Sequence, residues 1–190
     1  MLFLYVLTGY LLGSVPFGLI IGKIWNIDIR KYGSGNIGAT NVYRSLGAVP
    51  GTMVLLLDFL KGAAAVYLGF WAGGEPQVVL ALGISVIFGH MFSIFLGFKG
   101  GRGAATGLGV LLGLTPDIFI VSAVFAALLI IITRYVSVAS IFTPFLTVTL
   151  MFFLHKPLPY SVAALLVAIF IVIRHFPNIT RLLQGTEPRI

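Results

Sequence analysis

The segment AATGLGVLLGL, residues 104 to 114, decides how this chain is folded. It is apolar and free of charge, but it is only about half of the roughly 20 residues a helix needs to cross a bilayer. Longer apolar stretches surround it, at about residues 1 to 22, 53 to 72, 77 to 97, 117 to 133, 135 to 154 and 158 to 173. If 104 to 114 is a separate crossing, closed by Thr115, Pro116 and Asp117, the chain has seven helices. Lys23, Arg30, Lys31, Arg44, Lys99, Arg102, Arg134, Arg174, Arg181 and Arg189 then share one side, Lys156 lies opposite, and Lys61 sits near a helix end. If 104 to 133 is one long tilted helix, Arg134, Arg174, Arg181 and Arg189 fall outside. Cytoplasmic loops collect Lys and Arg, so the first solution is preferred. The expected fold is an all-α membrane protein, a polytopic bundle of about seven transmembrane helices in a single domain over 1–190, with the N-terminus outside and the C-terminus cytoplasmic.

Composition agrees with a membrane solvent. The chain is 59% hydrophobic and 9% charged, with a mean hydropathy of +1.10, more apolar than a soluble core of this size requires. The formal charge of +7 is spread in clusters between the apolar runs. That pattern argues for topology and an anionic ligand, and against nucleic acid. With no cysteine, disulfides and thiolate sites are excluded. The run MLFLYVLTGYLLGSVPFGLIIG lacks a basic leading region, its first cation being Lys23, and reads as a retained helix. Gly9 with Gly13, Gly18 with Gly22 and Gly109 with Gly113 have the spacing that lets helix backbones approach closely. Pro16 and Pro144 are expected to kink their helices or to sit where neighbours satisfy the freed carbonyls. No repeat is evident.

Three polar segments interrupt this pattern, and the preferred topology brings them to one face. In KYGSGNIGATNVYRSLG, residues 31 to 47, glycines alternate with Ser34, Asn36, Thr40 and Asn41 ahead of Arg44. Tight turns there can aim amides and side chains at one point, and a guanidinium suits phosphate. The plainer reading is a flexible polar loop. In KGGRG, Gly100, Gly101 and Gly103 leave room for backbone to curl around an anion within reach of Lys99 and Arg102, ahead of a helix N-terminus. The plainer reading here is a positive-inside clamp on a glycine hinge. In RHFPNITRLLQGTEPR, residues 174 to 189, His175, Asn178 and Arg181 share a face if a helix begins at Pro177, and Glu187 can neutralise a loop cation. A basic tail on anionic lipid explains the arginines of that segment but not His, Asn and Glu. Elsewhere, Asp58 and Lys61 stand at i,i+3 and most simply neutralise each other. His90 reads as a packed, hydrogen-bonded histidine, and no residue cluster calls for a metal or other cofactor.

Taken in order, GSGNIGATNVYR, LLLDFLKG, GHMFSIFLGFKGGRGAATGLG and RHFPNITRLLQGTE resemble the bacterial membrane acyl-phosphate:glycerol-3-phosphate acyltransferases over nearly the whole chain. The resemblance implies transfer of a fatty acyl group from acyl-phosphate to the 1-hydroxyl of sn-glycerol 3-phosphate, giving lysophosphatidic acid and phosphate, the first acylation of phospholipid synthesis. It implies an enzyme of the bacterial inner membrane, in contact with membrane lipids and with its active site facing the cytoplasm. Ser34, Arg44, His175 and Asn178 would be the catalytic set, and Asn36, Thr40, Asn41, Lys99, Gly100, Gly101 and Arg102 would bind substrate phosphate. Asp58, Lys61 and Glu187 would be structural.

The residues fit that chemistry. His90, His155 and His175 are followed five residues later by Phe95, Tyr160 and Thr180, so the His-x4-Asp dyad of other acyltransferases is absent. Acyl-phosphate carries its own good leaving group, so a substrate phosphate can accept the hydroxyl proton. The competing class is a transporter of an anionic phosphorylated metabolite. Transporters place charged residues near the bilayer midplane and carry repeats, whereas the polar segments here are expected at one surface. No sequence feature fixes an oligomeric state.

Overall fold

A computed structural model describes all residues from 1 to 190. It holds ten α-helices and two short 3-10 turns, with no strand, and divides into two compact units, Met1–Gly113 and Leu114–Ile190.

The first unit contains α1 (Leu2–Ser14), α2 (Phe17–Ile24), α3 (Ala39–Leu46), α4 (Ala48–Trp71), α5 (Pro76–Met91) and α6 (Ala104–Leu114), the last residue of α6 opening the second unit. α1 and α2 are one apolar stretch broken at Val15 and Pro16, as the proline's missing N–H requires. The broken backbone is repaired by side chains. The Ser93 hydroxyl donates to the Ser14 carbonyl at 2.6 Å, and the Lys61 ammonium donates to that of Val15 at 3.1 Å. Small residues set the crossings. A Cβ at Gly13 would strike the Val86 backbone of α5, and one at Gly109 the Phe59 carbonyl of α4. Gly18 and Gly22 are not helix contacts: Gly18 lies under the Ile37 carbonyl and Gly22 beside Ile27 and Ile29, so this pair seats the first polar loop.

The second unit packs α7 (Pro116–Thr133) on α8 (Val136–Phe153) and α8 on α9 (Leu158–Arg174), followed by α10 (Phe176–Leu183). The unit is charged at both ends. Asp117 and Lys156 pair at 2.6 Å at one. At the other, the Ile190 amide donates to the Arg134 carbonyl at 2.9 Å and Arg189 donates to the Tyr135 hydroxyl at 3.1 Å. Ile120, Val124, Leu128 and Ile131 leave one side of α7 apolar and exposed, as lipid-facing side chains are.

Five stretches are long and apolar enough to cross a membrane: Leu2–Ile24, Ala48–Trp71, Pro76–Leu96, Pro116–Thr133 and Val136–Phe153. A sixth exists if α9 and α10, which meet at a 53° bend, are one span. The shortness of α6 has a structural reason. Gly62 faces the Thr106 carbonyl and Gly113 faces Val66, so α6 runs parallel to α4 and starts beside its middle. Asp58 follows Ala48 by ten residues on α4, about 15 Å along the axis. The chain therefore reaches this depth through the segment 92 to 103, a 3-10 turn at Ile94–Leu96 followed by irregular backbone that is buried at Gly100, Gly101 and Gly103. Two expectations change accordingly. Lys61 lies within α4 rather than near its end, and KGGRG is sunk beside the middle of α4 rather than held at its surface end.

Candidate active site

The first loop draws its shape from Asn41, which is only 3% exposed. Its Oδ1 accepts the Ser34 amide at 2.9 Å, and its Nδ2 faces the carbonyls of Asn36 at 2.8 Å, Tyr32 at 3.0 Å and Ile29 at 3.3 Å. Gly33, at φ +55°, has no room for a Cβ because Asn41 Oδ1 stands there. Asn36 folds its own turn by accepting the Gly38 amide at 2.7 Å. Asn41, expected to bind phosphate, here has both ends of its amide engaged inside the loop. What the loop presents outward is the exposed Ser34, the half-buried Asn36 and Thr40, and Arg44 on α3.

KGGRG is organised differently. The last turn of any helix leaves carbonyls without intrahelical partners, and here two of those of α5 are capped by the loop. Gly100 donates to Met91 at 3.1 Å and Gly101 to His90 at 3.0 Å. Gly100 and Gly101 are glycines because a Cβ would meet the His90 and Met91 backbone in one case and the His90 imidazole in the other. These two amides, expected to curl around an anion, here cap α5. Lys99 remains exposed beside them, Arg102 is half-buried, and α6 begins two residues after Arg102.

Beneath this loop lies a charged cluster within the membrane-spanning helices. Asp58 (2% exposed) pairs with Lys61 (4%) at 2.7 Å, and its Oδ1 is 3.4 Å from Nδ1 of His90 (4%). Lys61 also stands 5.4 Å above the Phe17 ring. The mutual neutralisation expected of Asp58 and Lys61 is present.

In the second unit, His175 ends α9 and caps the start of α10, which begins beside Pro177. Its Nδ1 is 2.7 Å from the Ile171 carbonyl. A carbonyl only accepts, so Nδ1 carries a proton. Asn178 (2% exposed) donates Nδ2 to Glu187 Oε1 at 2.7 Å, and Arg181 donates to Oε2 at 2.7 Å. Glu187 thus pairs inside its own segment rather than with a loop cation. Burial pushes its carboxyl up, but hydrogen bonds from Asn178 and Arg181 outweigh this and leave it below its ordinary value. They also fix the Asn178 amide so that Oδ1, buried and without a hydrogen-bond partner, is presented as an acceptor. Sequence spacing placed Asn178 and Arg181 on one face; their common bond to Glu187 follows from the turn at Gly185, which no spacing announces.

The glycerol-3-phosphate acyltransferase family model matches residues 3–185. A glycerol-3-phosphate acyltransferase of Synechococcus sp. (strain JA-3-3Ab) is 45% identical, over 98% of this chain and 92% of its own. That of Bacillus subtilis (strain 168) is 42% identical over 98% and 96%. The crystal structure of PlsY (YgiH), an integral membrane glycerol 3-phosphate acyltransferase in its glycerol 3-phosphate form, is 39% identical with a TM-score of 0.94, covering 100% of this chain and 95% of that one. Its lysophosphatidic acid form gives 38% and 0.91 over the same shares. With the family model matched over residues 3–185 and the helical architecture shared, this chain belongs to the glycerol-3-phosphate acyltransferase family.

Proposed function

We propose that this chain transfers a fatty acyl group from acyl-phosphate to the 1-hydroxyl of sn-glycerol 3-phosphate, releasing 1-acyl-glycerol 3-phosphate and inorganic phosphate. The observation that carries the reading is the whole-chain likeness to a PlsY determined in glycerol 3-phosphate and lysophosphatidic acid forms. Within this chain, Arg44, Lys99 and Arg102 supply the charge that two phosphorylated substrates call for, with Ser34, Asn36 and Thr40 as hydrogen-bonding groups beside Arg44.

The chemistry needs alignment more than activation. The substrate hydroxyl oxygen attacks the acyl carbon, the bond from that carbon to the phosphate oxygen breaks, and phosphate leaves with the bonding pair. The hydroxyl proton passes to a phosphate oxygen. Asn178, its amide held by Glu187, offers Oδ1 as an acceptor that orients a hydroxyl. His175, its ring held through Nδ1 by the Ile171 carbonyl, orients a substrate without serving as the base. The chain acts as one catalytic domain, matched by the family model across both units.

We place it in the bacterial inner membrane as seven spans, N-terminus outside and binding loops toward the cytoplasm. Lys23, Arg30, Lys31 and Arg44 gather at the loop end of the first unit, and Arg134, Arg174, Arg181 and Arg189 gather at one end of the second. Lys156 stands at the far end beside Asp117. That is the distribution the positive-inside rule favours.

The test is purified protein given acyl-phosphate and labelled glycerol 3-phosphate. Labelled lysophosphatidic acid and free phosphate are expected in equal amounts. Product from acyl-CoA alone, or label carried across a vesicle membrane without acylation, overturns the reading. In the same assay His175→Gln is expected to keep measurable turnover, with the pH profile still set by phosphate ionisation; complete loss of kcat in a folded, substrate-binding variant makes His175 the base.

A further inference from the structure

The buried cluster of Asp58, Lys61 and His90 is used by no step of the reaction, yet it touches the elements that carry both loops of the first unit. Asp58 Oδ1 stands 3.4 Å from Nδ1 of the His90 ring, and the Nε2 side of that ring lies against Gly101, leaving no room for a side chain there. The His90 and Met91 carbonyls hold the Gly101 and Gly100 amides. On the opposite side, Lys61 ties Asp58 to the Val15 carbonyl at the break before α2 and covers the Phe17 ring. The next residue, Gly18, is the seat of Ile37 in the first loop.

Charges buried among membrane helices are costly, and a hydrophobic pair of similar volume is often as stable. What an apolar pair cannot do is set a ring and a backbone carbonyl at fixed hydrogen-bonding geometry. We propose that Asp58, Lys61 and His90 are positioning residues that set the KGGRG loop, through His90, and the first loop, through Lys61 and α2, at the spacing one phosphorylated substrate requires. The proposal rests on the reading of these loops as the glycerol 3-phosphate site. His90 acts on one loop only, whereas the Asp58–Lys61 pair acts on both. The effects are therefore graded.

The experiment measures KM for glycerol 3-phosphate, kcat and thermal midpoint in detergent for His90→Ala, His90→Gln and the double variant Asp58→Leu/Lys61→Leu, with Arg102→Ala as reference. Asp58→Asn alone strands Lys61 in a buried site and is expected to unfold the unit, which is why the charge-free pair is used. His90→Ala is expected to raise KM about tenfold with kcat nearly unchanged, equivalent to about 1.4 kcal/mol of binding. His90→Gln, which keeps an amide where Nε2 stood, is expected to recover most of that loss. The double variant is expected to fold and to raise KM more than His90→Ala does. Unchanged KM in folded His90→Ala or in the folded double variant, while Arg102→Ala raises it, overturns the positioning role and leaves the loop reading intact. Unchanged KM in Arg102→Ala as well overturns the loop reading and the positioning role with it. If one of His90→Ala and the double variant does not fold, the other decides by the same criterion: a KM raised about tenfold or more supports the proposal, and a wild-type KM overturns it.

Discussion

Asn41 shapes the first loop from within, collecting one amide and three carbonyls of residues 29 to 36, whereas KGGRG takes its shape from α5, whose last carbonyls bind its amides. One loop carries its own scaffold in a side chain; the other has shed side chains so that a neighbouring helix can be the scaffold. The difference teaches where each is fragile. The first loop is sensitive to the chemistry of a single residue, and the second to volume.

The largest effect should follow Gly100→Ala. The added Cβ meets the His90 and Met91 backbone, with the Met91 carbonyl carbon and oxygen each 2.9 Å away, and backbone cannot turn aside as a long side chain can. A loss of about 3 kcal/mol in stability is expected, with weakened glycerol 3-phosphate binding because the loop leaves α5. Wild-type stability by detergent melting would show that the loop is not fixed by α5, and the contrast between the two loops would fail.

Asn41→Ala should come next, at about 2 kcal/mol, since the Ser34 amide and the Asn36 and Tyr32 carbonyls lose a buried partner together. Asn41→Asp sharpens the test. It keeps an acceptor for Ser34 but turns a carboxylate oxygen toward carbonyl oxygens, so it should be no better than alanine. A stable Asn41→Asp chain would mean that the loop is held by its glycines and not by the amide.

How much of this was legible in the sequence follows the same division. Apolar runs and cation bias announced a polytopic helical membrane protein because hydropathy reports burial in lipid residue by residue. The residue types of the polar segments pointed to phosphate. What they could not reveal is which polar groups are consumed internally. Asn41 looks like a ligand in a string of Gly, Ser, Asn and Thr, and only the fold shows its amide spent on the loop. His90 reads as packing, and its place under Gly101 depends on a contact across eleven residues that has no period. The depth of KGGRG was hidden for a related reason. A half-length apolar helix is equally a short crossing or a fragment, and its starting level is set by Gly62 meeting Thr106 and Gly109 meeting Phe59 across α4 and α6.

A third way of organising polar residues appears at the C-terminus, where charge does the holding, and it should be the mildest to disturb. Glu187 is 5% exposed and bonds Asn178 and Arg181 at once. Glu187→Gln keeps an acceptor for Asn178 but sets an amide N–H against Arg181, so a loss of about 1 kcal/mol is expected near neutral pH. The pH dependence has a definite sign. The folded carboxyl titrates below its ordinary value of 4.5 because its hydrogen bonds outweigh burial, so the folded state favours the ionised form. Its stabilisation is full above pH 4.5 and is lost as pH falls through the folded value. The stability gap between the parent chain and Glu187→Gln should therefore close on acidification, while the costs of Gly100→Ala and Asn41→Ala, which involve no titrating group, should not. A gap that stays constant with acidification would mean that Glu187 is held by shape, as KGGRG is, and would remove charge as a separate way of building this fold.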